Sequence, residues 1–157
     1  MKTEELAREV VLKLTDEGRT LSTAESCTGG LLGKLLTDIP GASNAYKGGV
    51  ISYVNEVKHR ILGVEQQTLD VCTAVSRETA HEMAKGAREL LKADVGVSTT
   101  GLAGPDGDGT GRPVGLVYVA LNMAGFSYCR ELHLKGDRAE IRAQAAHEAL
   151  SMLLEFL

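Results

Sequence analysis

The sequence predicts an α/β protein: one three-layer α/β/α domain with a mixed β-sheet, spanning residues 1–157. Three observations lead there. Short runs of β-branched and apolar residues alternate with helical apolar stripes along the chain, as in a sheet covered by helices. The chain is 43% hydrophobic but only 4% aromatic, so its core has to be built from Leu, Val, Ile and Ala. Together with 18 glycines, that palette suits α/β layers better than a β-sandwich. The length suits one domain with a full-sized core.

Each element has a local reason. Over residues 3–17, Leu6, Val10 and Leu14 with Ala7 and Val11 share one helical stripe, and Gly18 is a C-terminal stop. Thr20-Leu21-Ser22-Thr23 reads as a short strand, and Leu31 to about Asp38 as a helix ending before Pro40. Residues 40–44 form a loop rich in breakers. Gly49 to Val54 reads as a strand, and Asn55 as the cap of a short helix over Glu56–Leu62 that Gly63 ends. Residues 64–75 show little periodicity and read as a connection. Ser76 caps a helix whose apolar face is Ala80, Met83, Ala84, Ala87, Leu90 and Leu91. Asp94–Thr100 is a strand that runs into a glycine-rich loop over 101–111. Val114–Leu121 and Phe126–Leu134 are two strands joined by four residues, which predicts an antiparallel hairpin. Asp137 reads as the N-cap of a last helix with Ile141, Ala145, Ala149, Leu153 and Phe156 on its core stripe.

Bulk properties narrow the function. A net charge of −4 argues against a nucleic-acid backbone as the main partner. There is no long apolar span and no signal peptide, so neither a membrane nor export is expected, and the location expected is cytoplasmic. The helix at Thr3–Thr15 suggests a stand-alone protein, although a piece of a longer one would look the same. Cys27, Cys72 and Cys129 form no CxxC pair, and the four histidines lack ligand spacing, so no disulfide framework or structural metal site is expected. Cys27 reads either as a reactive thiol or as a small buried packing residue.

The chemistry concentrates in a few stretches. Thr23-Ala24-Glu25-Ser26-Cys27-Thr28-Gly29-Gly30 is a strand that breaks into small residues and then starts a helix. Its free backbone N–H groups make a seat for an anion such as phosphate, with Ser26 and Thr28 able to cap the helix or bond the ligand. Lys58 falls at the start of a short helix. There the helix dipole and partial desolvation disfavour its charge, so that it can act as a base toward a serine hydroxyl. Tyr53, five residues earlier, is placed to relay a proton or hold an oxyanion. The alternative is a solvated Lys58 and a half-buried Tyr53. The 101–111 loop follows a strand at the end where open α/β sheets bind ligands. Arg138 and Arg142 share one helical face and fit a phosphate or carboxylate.

Together these stretches resemble the CinA C-terminal domain family. The resemblance rests on Thr23–Gly30, on Tyr53-Val54-Asn55-Glu56-Val57-Lys58 and on Gly101-Leu102-Ala103-Gly104-Pro105-Asp106-Gly107. Arg112-Pro113-Val114-Gly115 and Gly136-Asp137-Arg138 extend it, and it runs collinearly from about Ala7 to Phe156. It implies an α/β/α fold, a homodimer, and a nicotinamide-nucleotide amidase that converts nicotinamide mononucleotide to nicotinic acid mononucleotide and ammonia. It also implies a serine–lysine mechanism with no required metal or other cofactor. The family's tyrosine and lysine fall on Tyr53 and Lys58. Ser43 and Ser26 both match serines of the pattern. Ser43 is expected as the nucleophile, with Ser26, Thr28, Gly29 and Gly30 around the phosphate. The Gly101–Gly107 loop, Gly101 and Gly104 included, is expected with Thr100 to hold the pyridine and amide, and Arg142 the charged end of the substrate, with Arg138 as a further substrate-binding residue. Two rival readings are a non-catalytic nucleotide-binding module and an amidase for a different amide.

Overall fold

The computed structural model describes residues 1–157. In chain order the elements are α1 (Thr3–Glu17), β1 (Leu21–Glu25), α2 (Leu31–Thr37), β2 (Tyr46–Ile51), α3 (Asn55–Arg60) and α4 (Gln66–Cys72). They continue with α5 (Arg77–Leu90), β3 (Val95–Gly101), β4 (Leu116–Met123), β5 (Phe126–His133) and α6 (Arg138–Phe156). One 3-10 turn covers Ala42–Asn44.

The five strands form a mixed sheet in the order β2-β1-β3-β4-β5. β1 runs parallel to both β2 and β3, while β3–β4 and the predicted β4–β5 hairpin are antiparallel. Helices α1, α2 and α6 pack together on one face, where Leu6, Val10, Leu14, Leu36, Ile141 and Leu150 meet strand residues such as Val97 and Val119. Helix α5 lies against β1, β3 and β4 on the other face, and its Met83 and Ala87 join Ala24, Leu62, Val64 and Leu69. This is the expected α/β/α layering. No helix is long and apolar enough to cross a bilayer.

The expected ends are built by the expected residues. Gly18 is left-handed at φ 66°, and its N–H reaches the carbonyls of Leu14 and Thr15. The Ser76 side chain accepts from the Thr79 N–H, and Asp137 forms a capping box with Glu140.

Three expectations are corrected. The second strand begins at Tyr46 rather than Gly49 and ends at Ile51. Its two glycines belong to the sheet because a Cβ on Gly49 would lie 2.0 Å from Thr23 Oγ1 on the neighbouring strand. Residues 66–72, read as connection, form α4, which buries only Leu69 and so carries almost no apolar periodicity. Asn55 does not cap α3 with its side chain: Val54 precedes the helix and Asn55 is its first residue.

The topology sets the site. From β1 the chain goes through α2 to β2 on one side, then crosses through α5 to β3 on the other. The carboxyl ends of β1 and β3 therefore flank a crevice at the point where the winding reverses, the usual ligand position in such sheets.

Candidate active site

The turn leaving β1 is pinned by a buried acid. The Glu25 carboxylate folds over the start of α2 and accepts from Thr28 Oγ1 (2.6 Å), Gly30 N (3.2 Å), Leu32 N (2.8 Å) and Gly33 N (3.0 Å). The anion seat read in the sequence is real, but the protein's own side chain fills it. This corrects the expectation that Thr28, Gly29 and Gly30 hold a substrate phosphate. Thr28 is wholly buried and its hydroxyl also meets Thr99 Oγ1 at 2.7 Å, while the Gly29 N–H donates to the Ser26 carbonyl. Glu25→Ala is expected to destabilise the protein by about 2–4 kcal/mol, since it orphans several buried donors at once; thermal melting checks it.

Ser26 follows directly, at the carboxyl end of β1. Lys58 arrives from α3 and is 1% exposed, the bulkiest fully buried side chain of the molecule. Its Nζ lies 2.9 Å from Ser26 Oγ, 2.9 Å from the Ser52 carbonyl and 3.2 Å from the Tyr53 carbonyl. No carboxylate is bonded to it, and burial pushes its pKa down to about 8. The sequence reading names the helix dipole and partial desolvation together. Desolvation is the larger cause, because Lys58 is the fourth residue of α3 and is enclosed by protein.

The two candidate serines lie in different places. Ser43 sits in the Ala42–Asn44 turn and lines a separate depression with Pro40, Tyr46 and Lys47. It has no basic partner, whereas Ser26 has Lys58. Cys27 resolves as a packing residue: it is buried, and burial pushes its thiol up to about 12, so it stays protonated at neutral pH.

Ser26 and Lys58 open onto a cavity of about 300 Å³. Tyr53, Asn55, Arg138, Thr100, Gly101 and Gly104 are among the residues that line it. Tyr53 is 55% exposed, and its hydroxyl accepts from Arg138 Nη2 at 2.8 Å. Arg138 also donates to the Gly104 carbonyl at 2.7 Å, which ties the glycine loop to α6. The Thr100 hydroxyl is committed to the Ala74 carbonyl (2.7 Å), and both residues line the cavity. Arg142 does not line the cavity: it donates to the carbonyls of Cys27 (3.1 Å) and Thr28 (3.0 Å), which corrects its expected role at the charged end of a substrate.

Asn55 and Asp108 are wall residues that the sequence reading does not assign to the site, while Asp106 lies within the Gly101–Gly107 loop that it does. The two acids were visible in the glycine loop, and an acid beside a predicted binding loop was the available signal. No group of three His, Cys, Asp or Glu side chains is arranged to hold a metal ion.

An α/β sheet with a buried serine–lysine pair at the carboxyl end of a parallel strand defines the class of site. Residues 3–157 match the CinA C-terminal domain. A putative competence-damage inducible protein of Caldanaerobacter subterraneus is 49% identical over 155 residues, which is 98% of this chain and 38% of that protein. A CinA-like protein of Syntrophomonas wolfei is 46% identical over 144 residues, 92% of this chain and 35% of its own length. The chain thus spans little more than a third of the curated relatives it matches. The crystal structure of the competence damage-inducible protein A from Klebsiella pneumoniae superposes with a TM-score of 0.96 at 37% identity, covering 99% of this chain and 96% of that one. That of a competence/damage inducible protein from Agrobacterium tumefaciens gives 0.94 at 41% identity, with 98% and 94% covered. The chain belongs to the CinA C-terminal domain family.

Proposed function

We propose that the protein is an amidohydrolase that releases ammonia from nicotinamide mononucleotide, with Ser26 as nucleophile and Lys58 as its base. The observation that carries the reading is the buried Lys58 Nζ, 2.9 Å from Ser26 Oγ and free of any carboxylate. A neutral amine has two N–H donors and one lone pair. The Ser52 and Tyr53 carbonyls take the two donors, which leaves the lone pair for the Ser26 hydroxyl proton. The substrate is taken from the family resemblance, and the cavity's chemistry agrees with it. Arg138 offers a cation for the phosphate, and Asp106 and Asp108 offer carboxylates for a pyridinium or ribose hydroxyls.

In this scheme neutral Lys58 accepts the Ser26 proton as Oγ bonds to the carboxamide carbon and the C=O electrons move onto oxygen. The Lys58 ammonium then gives its proton to the leaving nitrogen, the C–N bond breaks, and ammonia departs. Water then loses a proton to Lys58 and adds to the acyl carbon; the C–Oγ bond breaks, the Lys58 ammonium returns its proton to Ser26 Oγ, and the acid product leaves as its carboxylate. Tyr53, accepting from Arg138, keeps its own proton to donate to the substrate. Tyr53→Phe is expected to lower kcat by roughly 10–100-fold, in the range for loss of one hydrogen-bonding catalytic group. The test is ammonia release from nicotinamide mononucleotide by the purified protein. Stoichiometric ammonia and nicotinic acid mononucleotide are expected. Binding of the nucleotide without turnover would favour a non-catalytic module, and release from other carboxamides alone would replace the substrate.

A further inference from the structure

The Ser26–Gly30 turn holds a relay of peptide groups that the catalytic pair does not use. Arg142 Nη2 donates to the Thr28 carbonyl at 3.0 Å. The N–H of that same peptide unit belongs to Gly29, and it donates to the Ser26 carbonyl at 3.1 Å. The N–H of the Ser26 peptide unit belongs to Cys27, which lines the cavity beside Ser26 and makes no hydrogen bond within the chain. A trans peptide points its N–H opposite its C=O. Each carbonyl held from behind therefore aims and polarises the amide in front of it. The position favours glycine at 29, where φ is +58° and a Cβ would come within 3.1 Å of Arg142 Nη2.

We infer that Arg142 is a positioning residue for an oxyanion hole whose donor is the Cys27 N–H, acting through the Thr28–Gly29 and Ser26–Cys27 peptide groups. The inference rests on the reading of Ser26 as nucleophile. The oxyanion forms on the carbonyl oxygen of the carbon that Ser26 Oγ attacks, so the amide of the next residue is within reach of it, as in other hydrolases with a strand-to-helix nucleophile turn. The guanidinium adds to this from outside the cavity. It is a fixed charge at the far end of the relay, present before the reaction and needing no reorganisation when charge develops. Thr28, wholly buried, contributes no N–H to the cavity, which leaves Cys27 as the donor of this turn.

The test compares wild type, Arg142→Gln and Arg142→Lys in ammonia release from nicotinamide mononucleotide and in binding of pyridine-3-boronic acid. The boronic acid becomes tetrahedral and anionic on bonding a serine oxygen. Arg142→Gln is expected to lower kcat roughly 10–100-fold, below the loss for deleting a whole oxyanion donor, with KM within about twofold. Boronate affinity should fall by a similar factor while affinity for planar nicotinic acid mononucleotide holds, and Arg142→Lys should recover part of both losses. A raised KM with kcat unchanged would overturn the relay and return Arg142 to gripping substrate. Wild-type kcat and boronate affinity in a folded Arg142→Gln would overturn it as well. In the wild type itself, boronate binding should move the Cys27 amide proton downfield in the NMR spectrum, and no movement would also overturn the inference. If the wild type releases no ammonia, the substrate reading fails, while the boronate and amide-proton results still decide the relay.

Discussion

Replacing Ser26 by alanine is expected to lower ammonia release at least about a thousandfold, whereas Ser43→Ala should stay within about twofold of wild type. The contrast follows from where the two hydroxyls lie. Ser26 Oγ is 2.9 Å from the buried amine at the floor of the cavity, and Ser43 borders a different depression formed by the Pro40 loop and the start of β2. Ser26→Ala removes a single oxygen and leaves Glu25, which organises the turn, with all its donors. The variant should therefore fold, bind the nucleotide and fail only in turnover. Loss of activity in Ser43→Ala with retention in Ser26→Ala would reverse the assignment.

Lys58→Met is expected to be as inactive as Ser26→Ala and yet at least as stable as wild type at neutral pH. The folded state holds the Lys58 pKa near 8, below its ordinary value of 10.5. A lysine depressed in this way is penalised wherever it must be charged. The penalty, on the order of 3 kcal/mol, is fully present below pH 8 and disappears as pH rises toward the unfolded-state value. Stability from this group thus increases with pH between about 8 and 10.5 in the wild type, and Lys58→Met should lack that rise. Losing the bonds to the Ser52 and Tyr53 carbonyls costs about 1–2 kcal/mol, so a net gain on the order of 1 kcal/mol is expected below pH 8. The catalytic counterpart is a pH profile. kcat/KM should climb through the pKa near 8 as the amine loses its proton, and lie flat above it. Denaturant melts and rate profiles over pH 6–10 check both signs.

Much of this arrangement was legible in the residues. α1, α5 and α6 carry long stripes and local caps at Gly18, Ser76 and Asp137, so pattern and capping agreed. Lys58 and Tyr53 were found because five residues separate them within one strand-end and helix-start. The rest depended on partners distant in sequence. The Ser26–Lys58 contact joins residues 32 apart, and nothing in either local pattern selects Ser26 over Ser43. The anion seat was read from its donors, which local sequence displays. Its occupant, Glu25, was on the page as the preceding strand residue, but only the fold turns that side chain back over α2. Arg142 reads as a free cation until α6 is packed against the turn, 115 residues upstream, where backbone carbonyls take its donors. Gly48 falls outside the expected strand because the close approach of Thr23 to Gly49, which seats this segment in the sheet, is itself a tertiary contact.

The central claim is that a buried amine beside Ser26 gives up its proton near neutral pH. Its most direct measurement is the titration of Lys58 by NMR on protein labelled at lysine, assigned with Lys58→Met and needing no substrate. One lysine titrating near 8 and absent from that variant is expected. A Lys58 that stays charged to about pH 10.4, like a lysine in water, would contradict it.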